Sequence, residues 1–166
     1  MTFGAWGVRR GGNHGCVWAM RRFILLLLVG AVTIGMPSLV HAQFADCPAG
    51  SETLRLQNGR FEVELVWQTR DGAIGDGCAV AGTESRDSGL LWFFQPENWE
   101  FLIKVLNQCS NPNARGYWVF AAAATDVSYD LVVRDTRSGA VRSYSNQVGT
   151  QAVSITDNRA FPDACP

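Results

Sequence analysis

The segment Ser88–Cys109, SGLLWFFQPENWEFLIKVLNQC, decides the fold of this chain. Two runs rich in aromatic residues, Leu90–Phe94 and Trp99–Leu106, flank Gln95–Asn98, where proline favours the second position of a tight turn. A four-residue loop predicts the pairs Phe94 with Trp99, Trp92 with Phe101 and Leu90 with Ile103. These six residues would share one apolar face, which a folded protein must cover. The segment therefore predicts a β-hairpin at the centre of a core.

A second hairpin is predicted upstream by Asn58-Gly59, because both residues accept the positive φ angles of a two-residue turn. The predicted pairs are Leu56 with Phe61, Leu54 with Val63 and Arg55 with Glu62. The first two pairs are apolar and belong to the buried face. The third pairs opposite charges on the solvent face, which supports this register.

The remaining sequence continues the same short alternating pattern. Further strands are predicted at Tyr117–Phe120, Val127–Arg134, Ala140–Asn146 and Ala152–Ile155, with Tyr144 on the face of Leu131 and Val133. About eight short strands, separated by turn signals and without a long helical pattern, predict an all-β chain. We expect a single antiparallel β-sandwich, Ig-like or related.

Residues 1–42 have the pattern of a secretory signal peptide. Met20-Arg21-Arg22 precedes the apolar run 23–36, Pro37 ends the run, and Val40-His41-Ala42 is a small-residue cleavage pattern. Met20 could be the true start. The run is short for a membrane span, so we expect cleavage after Ala42 and no span in the mature chain. This predicts a mature domain of residues 43–166 that is exported, either periplasmic or extracellular.

The charge of this mature chain limits its partners. It would keep ten Lys and Arg against fifteen Asp and Glu, a net charge of −5, and its only lysine is Lys104. A mildly acidic chain argues against nucleic acid and against anionic membrane as partners. We expect a monomeric domain with an unknown protein or glycan partner.

Four cysteines remain after cleavage: Cys47, Cys78, Cys109 and Cys165. In an exported chain an even number indicates two disulfides, and three pairings are possible. Domain termini are often close, which favours Cys47 with Cys165 and leaves Cys78 with Cys109. Zinc is the alternative, but the mature sequence has no Cys-x-x-Cys pair and no histidine, so we expect no metal.

Catalytic patterns are weak in this sequence. Both histidines, His14 and His41, lie in the leader, which excludes Ser-His-Asp and Cys-His catalysis in the mature chain. No Gly-x-Ser-x-Gly or Ser-x-x-Lys motif follows residue 42. A glycosidase-type carboxylate pair is the remaining enzymatic alternative. Its candidate pairs are Glu62 with Glu64, Glu97 with Glu100, and Asp126 with Asp130. We interpret these acids as solvated strand positions and predict no catalytic residue and no cofactor.

Two loops resemble known functional motifs, but we favour a structural interpretation of each. The segment Arg70–Gly77, RDGAIGDG, lacks the alternating carboxylates and closing glutamate of a familiar calcium loop, and is typical of a hairpin connection. Asp87-Ser88-Gly89 is the tripeptide of aspartic proteases, but it follows a polar loop and not an apolar strand. We interpret it as a turn.

The motifs GRFEVELVW, DSGLLWFFQPENWEFLIKVL, YWVF and VSYDLVVRDTRSGAVRSYSN together resemble an uncharacterised β-rich domain of exported bacterial proteins. The resemblance covers roughly residues 54–161. It differs at Arg55, where that family often has cysteine, and at Cys78, where it usually has none. The resemblance implies a β-rich fold and export, and it implies no reaction and no catalytic residues.

The function classes that remain are a structural or accessory module of the envelope and a carbohydrate- or protein-binding module. Most tryptophans alternate in phase with core residues. Trp67 and Trp99 lie at strand ends, so they are the candidates for contact with a ligand, together with the loop Arg70–Gly77, although burial in the core is the interpretation we favour for each tryptophan.

Overall fold

A computed structural model of the protein describes residues 44–166, so the predicted leader and the Met20 start lie outside the described residues. All regular structure in this part of the chain is β. The strands are β1 (Leu54–Leu56), β2 (Phe61–Gln68), β3 (Ile74–Asp76), β4 (Cys78–Ala79), β5 (Ser88–Trp92), β6 (Trp99–Asn107), β7 (Tyr117–Ala123), β8 (Ser128–Asp135), β9 (Val141–Asn146) and β10 (Ile155–Phe161). The prediction of about eight strands missed β3 and β4, which lie in segments of three and two residues.

The strands form two antiparallel sheets. The first sheet has the order β1-β2-β8-β9, and β3 also pairs with β2. The second sheet has the order β10-β7-β6-β5-β4. One hydrophobic cluster draws buried side chains from both sheets, so the two sheets pack face to face and the predicted antiparallel β-sandwich is confirmed.

Strict alternation along the central strands builds the core. In β2 every second residue is buried, and the residues between them are partly or fully exposed. The same pattern holds in β8 of the first sheet, in β7 of the second, and in β6 from Phe101 onward. Fully buried members are Phe61, Val63, Leu65, Phe101, Ile103, Val105, Val119, Leu131 and Val133. Tyr144 packs against this cluster, opposite Leu131 in the register, as predicted.

The β1–β2 hairpin has the predicted register. Leu54 pairs with Val63, Arg55 with Glu62 and Leu56 with Phe61. Arg55 Nη2 lies 3.2 Å from Glu62 Oε1 on the outer surface. Gln57 and Asn58 both have positive φ, and the Gln57 side chain donates to the carbonyl oxygen of Val105 in the second sheet at 2.6 Å. The turn therefore also joins the two sheets.

The register predicted for the central hairpin is wrong. Leu90 pairs with Leu102 and Leu91 with Phe101, but Trp92 pairs with Trp99, so β6 carries one extra residue there. This residue is Glu100, and the irregularity is a β-bulge. Leu91, Phe93, Phe101 and Ile103 therefore face the core, whereas Trp92 is buried outside the inter-sheet cluster.

The disulfides are Cys47–Cys78 and Cys109–Cys165, with Cα–Cα distances of 5.3 and 5.5 Å. The predicted pairings Cys47–Cys165 and Cys78–Cys109 are wrong. The chain before β1 runs beside β4, where the Ala79 N–H donates to the Ser51 carbonyl at 2.7 Å, so Cys47 and Cys78 meet. Each disulfide should raise the free energy of unfolding by about 4 kcal/mol, because the closed loop lowers the entropy of the unfolded chain.

A buried ion pair closes one corner of the sandwich. Arg60 Nε and Nη2 donate to the two carboxylate oxygens of Asp135 at 3.0 and 2.9 Å, and Nη1 donates to the Tyr117 hydroxyl at 3.2 Å. Asp135 also accepts from the Arg137 N–H and the Ser138 hydroxyl. Burial alone would raise the pKa of Asp135, but these hydrogen bonds and the Arg60 charge hold that pKa below its usual value.

Candidate functional site

The outer side of the second sheet carries a continuous apolar surface, which we call the apolar outer face. Its residues alternate with core residues along β5, β6 and β7. They are Leu90, Leu102, Lys104, Leu106, Trp118, Phe120 and Ala122. The register places Leu102 between Leu90 and Ala122, Lys104 beside Phe120, and Leu106 beside Trp118. Neighbouring strands thus align these side chains into one surface.

This face is open to solvent along its centre. Leu102 is 41% exposed and Ala122 is exposed, while the larger side chains partly cover one another. The rings of Trp118 and Phe120 lie 6.2 Å apart between centroids, and Trp118 Nε1 donates to the Ala114 carbonyl oxygen at 3.1 Å. The indole nitrogen is thereby satisfied within the protein, so the exposed part of Trp118 is apolar.

The bulge in β6 adds a further tryptophan to this face. Because cross-strand partners share a side of the sheet, Trp99 lies on the same side as Trp92, opposite to the core residue Leu91. Trp99 is 52% exposed. Its Nε1 donates to the Pro96 carbonyl oxygen at 3.1 Å, which fixes the indole in its exposed position. Trp99 therefore extends the apolar outer face at the end where the hairpin turns.

Glu100 holds the bulge that orients Trp99. It is only 5% exposed, and its Oε2 accepts the Phe93 N–H at 2.7 Å, a donor that the interrupted ladder leaves without a strand partner. The Asn98 side-chain amide donates to Oε1. Burial raises the pKa of Glu100, against the opposing effect of these hydrogen bonds. A buried carboxylate with this role is a structural element of the hairpin.

The two tryptophans predicted as candidates for ligand contact have opposite environments. Trp99 is exposed, whereas Trp67 is only 2% exposed and packs in the core, so the favoured core interpretation holds for Trp67 and Trp99 alone stays a candidate for ligand contact. The chain at β3 folds against Trp67, whose Nε1 donates to the Asp76 carbonyl oxygen at 2.9 Å. A Cβ at Gly75 would clash with the Trp67 ring. The glycines of Arg70–Gly77 thus include one that makes room for the indole.

The candidate carboxylate pairs are not gathered at a cleft. Glu64, Glu97, Asp126 and Asp130 are exposed, and Glu100 is engaged in the bulge. A cleft of about 260 Å³ between β1 and β4 is lined by one acid, Glu84. A second cleft, of about 120 Å³ near the C-terminus, is likewise lined by one acid. Neither cleft presents two facing carboxylates, which glycoside hydrolysis requires.

Two further properties of residues 44–166 concern metals and membranes. Within this range, no group of three or more His, Cys, Asp or Glu side chains is arranged to hold a metal ion. No helix long and apolar enough to cross a membrane occurs in the same residues.

No protein-family model matches the chain, and neither a curated protein nor a solved structure shows significant similarity to it. The resemblance to a β-rich domain of exported bacterial proteins therefore stays a prediction.

The sequence interpretation missed the apolar outer face, although the sequence carries a signal for it. In Trp99–Leu106 and Tyr117–Phe120, residues on both sides of the strand are apolar. Such strands are typical of sheets that are covered on both faces, whereas a sheet with one solvated face alternates apolar and polar residues. The composition of both sides is thus largely apolar, with Lys104 as the one charge on the outer side, and this is typical of a surface that is covered.

Proposed function

We propose that this chain is an exported, non-catalytic β-sandwich module that recognises a protein partner through its apolar outer face. The observation that carries the proposal is the combination of Leu102, Phe120 and Trp99 on one exposed side of a sheet. The largest contiguous apolar patch on a soluble monomer usually measures about 300 to 600 Å², and this patch is often functional. Tryptophan and phenylalanine are also enriched in the cores of protein interfaces.

Export is supported by two independent features. The leader pattern of residues 1–42 predicts secretion, and two disulfides in one small domain are typical of an oxidising compartment. A periplasmic or extracellular location is therefore part of the proposal.

A protein partner fits this face better than a glycan does. Sugar hydroxyls require several converging hydrogen-bonding groups, and among the seven residues of the apolar outer face only Lys104 supplies one. A structural or accessory role in the envelope is compatible with the same surface, because a permanent neighbour would cover it in the same way.

Site-specific photo-crosslinking during growth tests the proposal. A photoreactive phenylalanine analogue at position 102 should give a discrete protein adduct in the exported fraction. The matched control is the analogue at Val132, which has the equivalent outward position on the central strand β8 of the other sheet. The adduct should disappear when Phe120→Ser is added to the labelled chain, with the thermal midpoint of the protein measured in parallel.

An absent adduct at position 102, or equal adducts at 102 and 132, would contradict recognition through this face. A glycan array with the purified domain addresses the alternative. A specific glycan signal that Trp99→Ala removes, with the fold retained, would replace the protein partner by a carbohydrate.

A further inference from the structure

The dimensions of the apolar outer face limit what can cover it. From Trp99 to Leu106 the face follows β6 for seven residue steps, which corresponds to about 23 Å at the usual strand rise. Its width covers the three strands β5, β6 and β7, two spacings of about 4.8 Å, or about 10 to 14 Å with the side chains. The footprint is therefore an elongated strip on the order of 300 Å².

A second copy of the chain fits this strip poorly. A stable specific interface buries about 800 Å² on each partner, more than twice the footprint. A two-fold dimer would also bring Lys104 of both copies into the same interface, and the seven residues of the face include no carboxylate to pair with them. Both the area and the charge argue against self-association.

A single α-helix has the right shape. Its diameter with side chains is about 10 to 12 Å, and about 15 residues, or four turns, cover a length of 23 Å. A helix packed on a sheet is also one of the standard layer arrangements of proteins. The apolar side of such a helix would repeat at i, i+3, i+4 and i+7.

Lys104 specifies the chemistry of that helix further. It is the one charged residue of the face, flanked by Phe120 on β7 and Ser88 on β5. Covering an ammonium group with apolar atoms is costly unless a charge of opposite sign meets it. The predicted mature chain has a net charge of −5, so basic residues on the outer flanks of the helix would be attracted to the rest of the domain.

From this we infer that the apolar outer face takes one amphipathic helix of about four turns from a partner protein, with an Asp or Glu inside its apolar stripe that pairs with Lys104. The inference rests on the proposed function and adds the secondary structure and charge of the partner segment.

A display selection tests the helix. The exported protein, produced from the full chain, is presented with a library of 16-residue segments in a helical host, randomised at every surface position. The domain carrying Leu102→Ser and Phe120→Ser serves for counter-selection. We expect enriched segments with apolar residues at helical spacing and a carboxylate inside that stripe. Enriched segments with strand-like alternation, stripes without an acid, or no enrichment would overturn the inference.

The single lysine of the chain makes the charge pair directly testable. A carbodiimide should join Lys104 to the carboxylate of a selected peptide by an amide bond. Lys104→Arg keeps the charge and should bind within about twofold of wild type, but it should give no crosslink. The Lys104→Glu protein should bind the acidic peptide at least tenfold more weakly than wild type does. It should prefer a peptide in which the acidic residue is replaced by lysine. Equal affinity of all three proteins for the acidic peptide would overturn the pairing.

The failure of this inference can be distinguished from the failure of the proposed function. If crosslinking from position 102 identifies a partner but helical segments are never enriched, recognition stands and the helix is wrong. If the purified protein is a dimer that Leu102→Ser converts to a monomer, a second copy is the occupant, and the inference is overturned.

Discussion

The two outer faces of the sandwich differ in composition although both cover the same core. The first sheet presents a polar outer face. Its residues are Arg55, Glu62, Glu64, Asp130, Arg134, Ser143 and Ser145, with Val66, Val132 and Val141 among them. There Glu62 accepts a hydrogen bond from Arg55 at 3.2 Å and lies opposite Arg134 in the register, so this negative charge has positive charges on both sides. The apolar outer face of the second sheet has Lys104 alone.

This difference shows that the fold does not require an apolar outer surface. An antiparallel sheet commonly packs one face on the core and leaves the other solvated, as the first sheet does. The second sheet has the same strand pairing and the same core, and yet its outer residues are leucine, tryptophan and phenylalanine. The proposed recognition of a partner protein would account for that composition.

The sharpest test of this comparison uses two neighbours in β6. Phe101 faces the core and is fully buried, whereas Leu102 faces outward and is 41% exposed. Phe101→Ala should lower the free energy of unfolding by about 4 kcal/mol, because it leaves a large cavity. Leu102→Ser should lower it by less than about 1 kcal/mol, as is usual at surface positions. Urea denaturation measures both, and equal losses would make the outer face part of the structural core.

A smaller effect compares an inner charge pair with an outer one. Asp135→Asn leaves Arg60 buried without its counter-ion and should cost about 3 kcal/mol at pH 7. Glu62→Gln removes the exposed partner of Arg55 and should cost less than about 1 kcal/mol.

The contribution of Asp135 should also depend on pH. Because its pKa is lowered in the folded state, its stabilisation is present above the pKa of an unfolded aspartate, about 3.9, and is lost as the pH falls through the folded value. The difference in unfolding free energy between wild type and Asp135→Asn should therefore become smaller in acid. A difference that does not change with pH would contradict the role of the ion pair.

The smallest expected effect concerns Glu100, which supports the outward position of Trp99. Its pKa is raised in the folded state, so its stabilisation is complete below the pKa of an unfolded glutamate, about 4.3, and is lost as the pH rises through the folded value. The free energy of unfolding of wild type should therefore rise relative to that of Glu100→Gln as the pH falls from about 8 to about 4. Glu97→Gln in the same turn is exposed and is the control. A difference in unfolding free energy that stays constant, or that grows as the pH rises, would contradict this role of Glu100.

The parts of the fold that follow from local chemistry could be predicted from the sequence. The turn at Asn58-Gly59 fixes the register of β1 and β2 through backbone angles that few other residues accept, and the pairing of Arg55 with Glu62 follows from it. The alternation in β2 and β8 likewise indicates which residues face the core.

The parts that were wrong depend on individual side-chain contacts, which turn chemistry and alternation do not indicate. The register of the central hairpin depends on the Glu100 carboxylate, which accepts a hydrogen bond from the Phe93 N–H. The residue preferences of turns do not predict this bond between a side chain and the backbone. The close approach of Gly75 to the Trp67 ring is another contact that no local pattern indicates. The candidate site was missed because the predicted register places Leu90 and Trp99 on the buried face, whereas both lie on the outer face in the structure, and each strand can offer only one of its faces to the core.

The two disulfides close loops that follow each other along the chain and do not overlap, Cys47–Cys78 and then Cys109–Cys165. In a chain that crosses a membrane from its N-terminal end, the first two cysteines to emerge from the translocation channel are the two that bond. An oxidase that joins cysteines in their order of arrival therefore produces the native connectivity directly. If the domain is exported as proposed, its disulfides would form without an isomerase, and the first loop would close while the second half of the domain is still on the other side of the membrane.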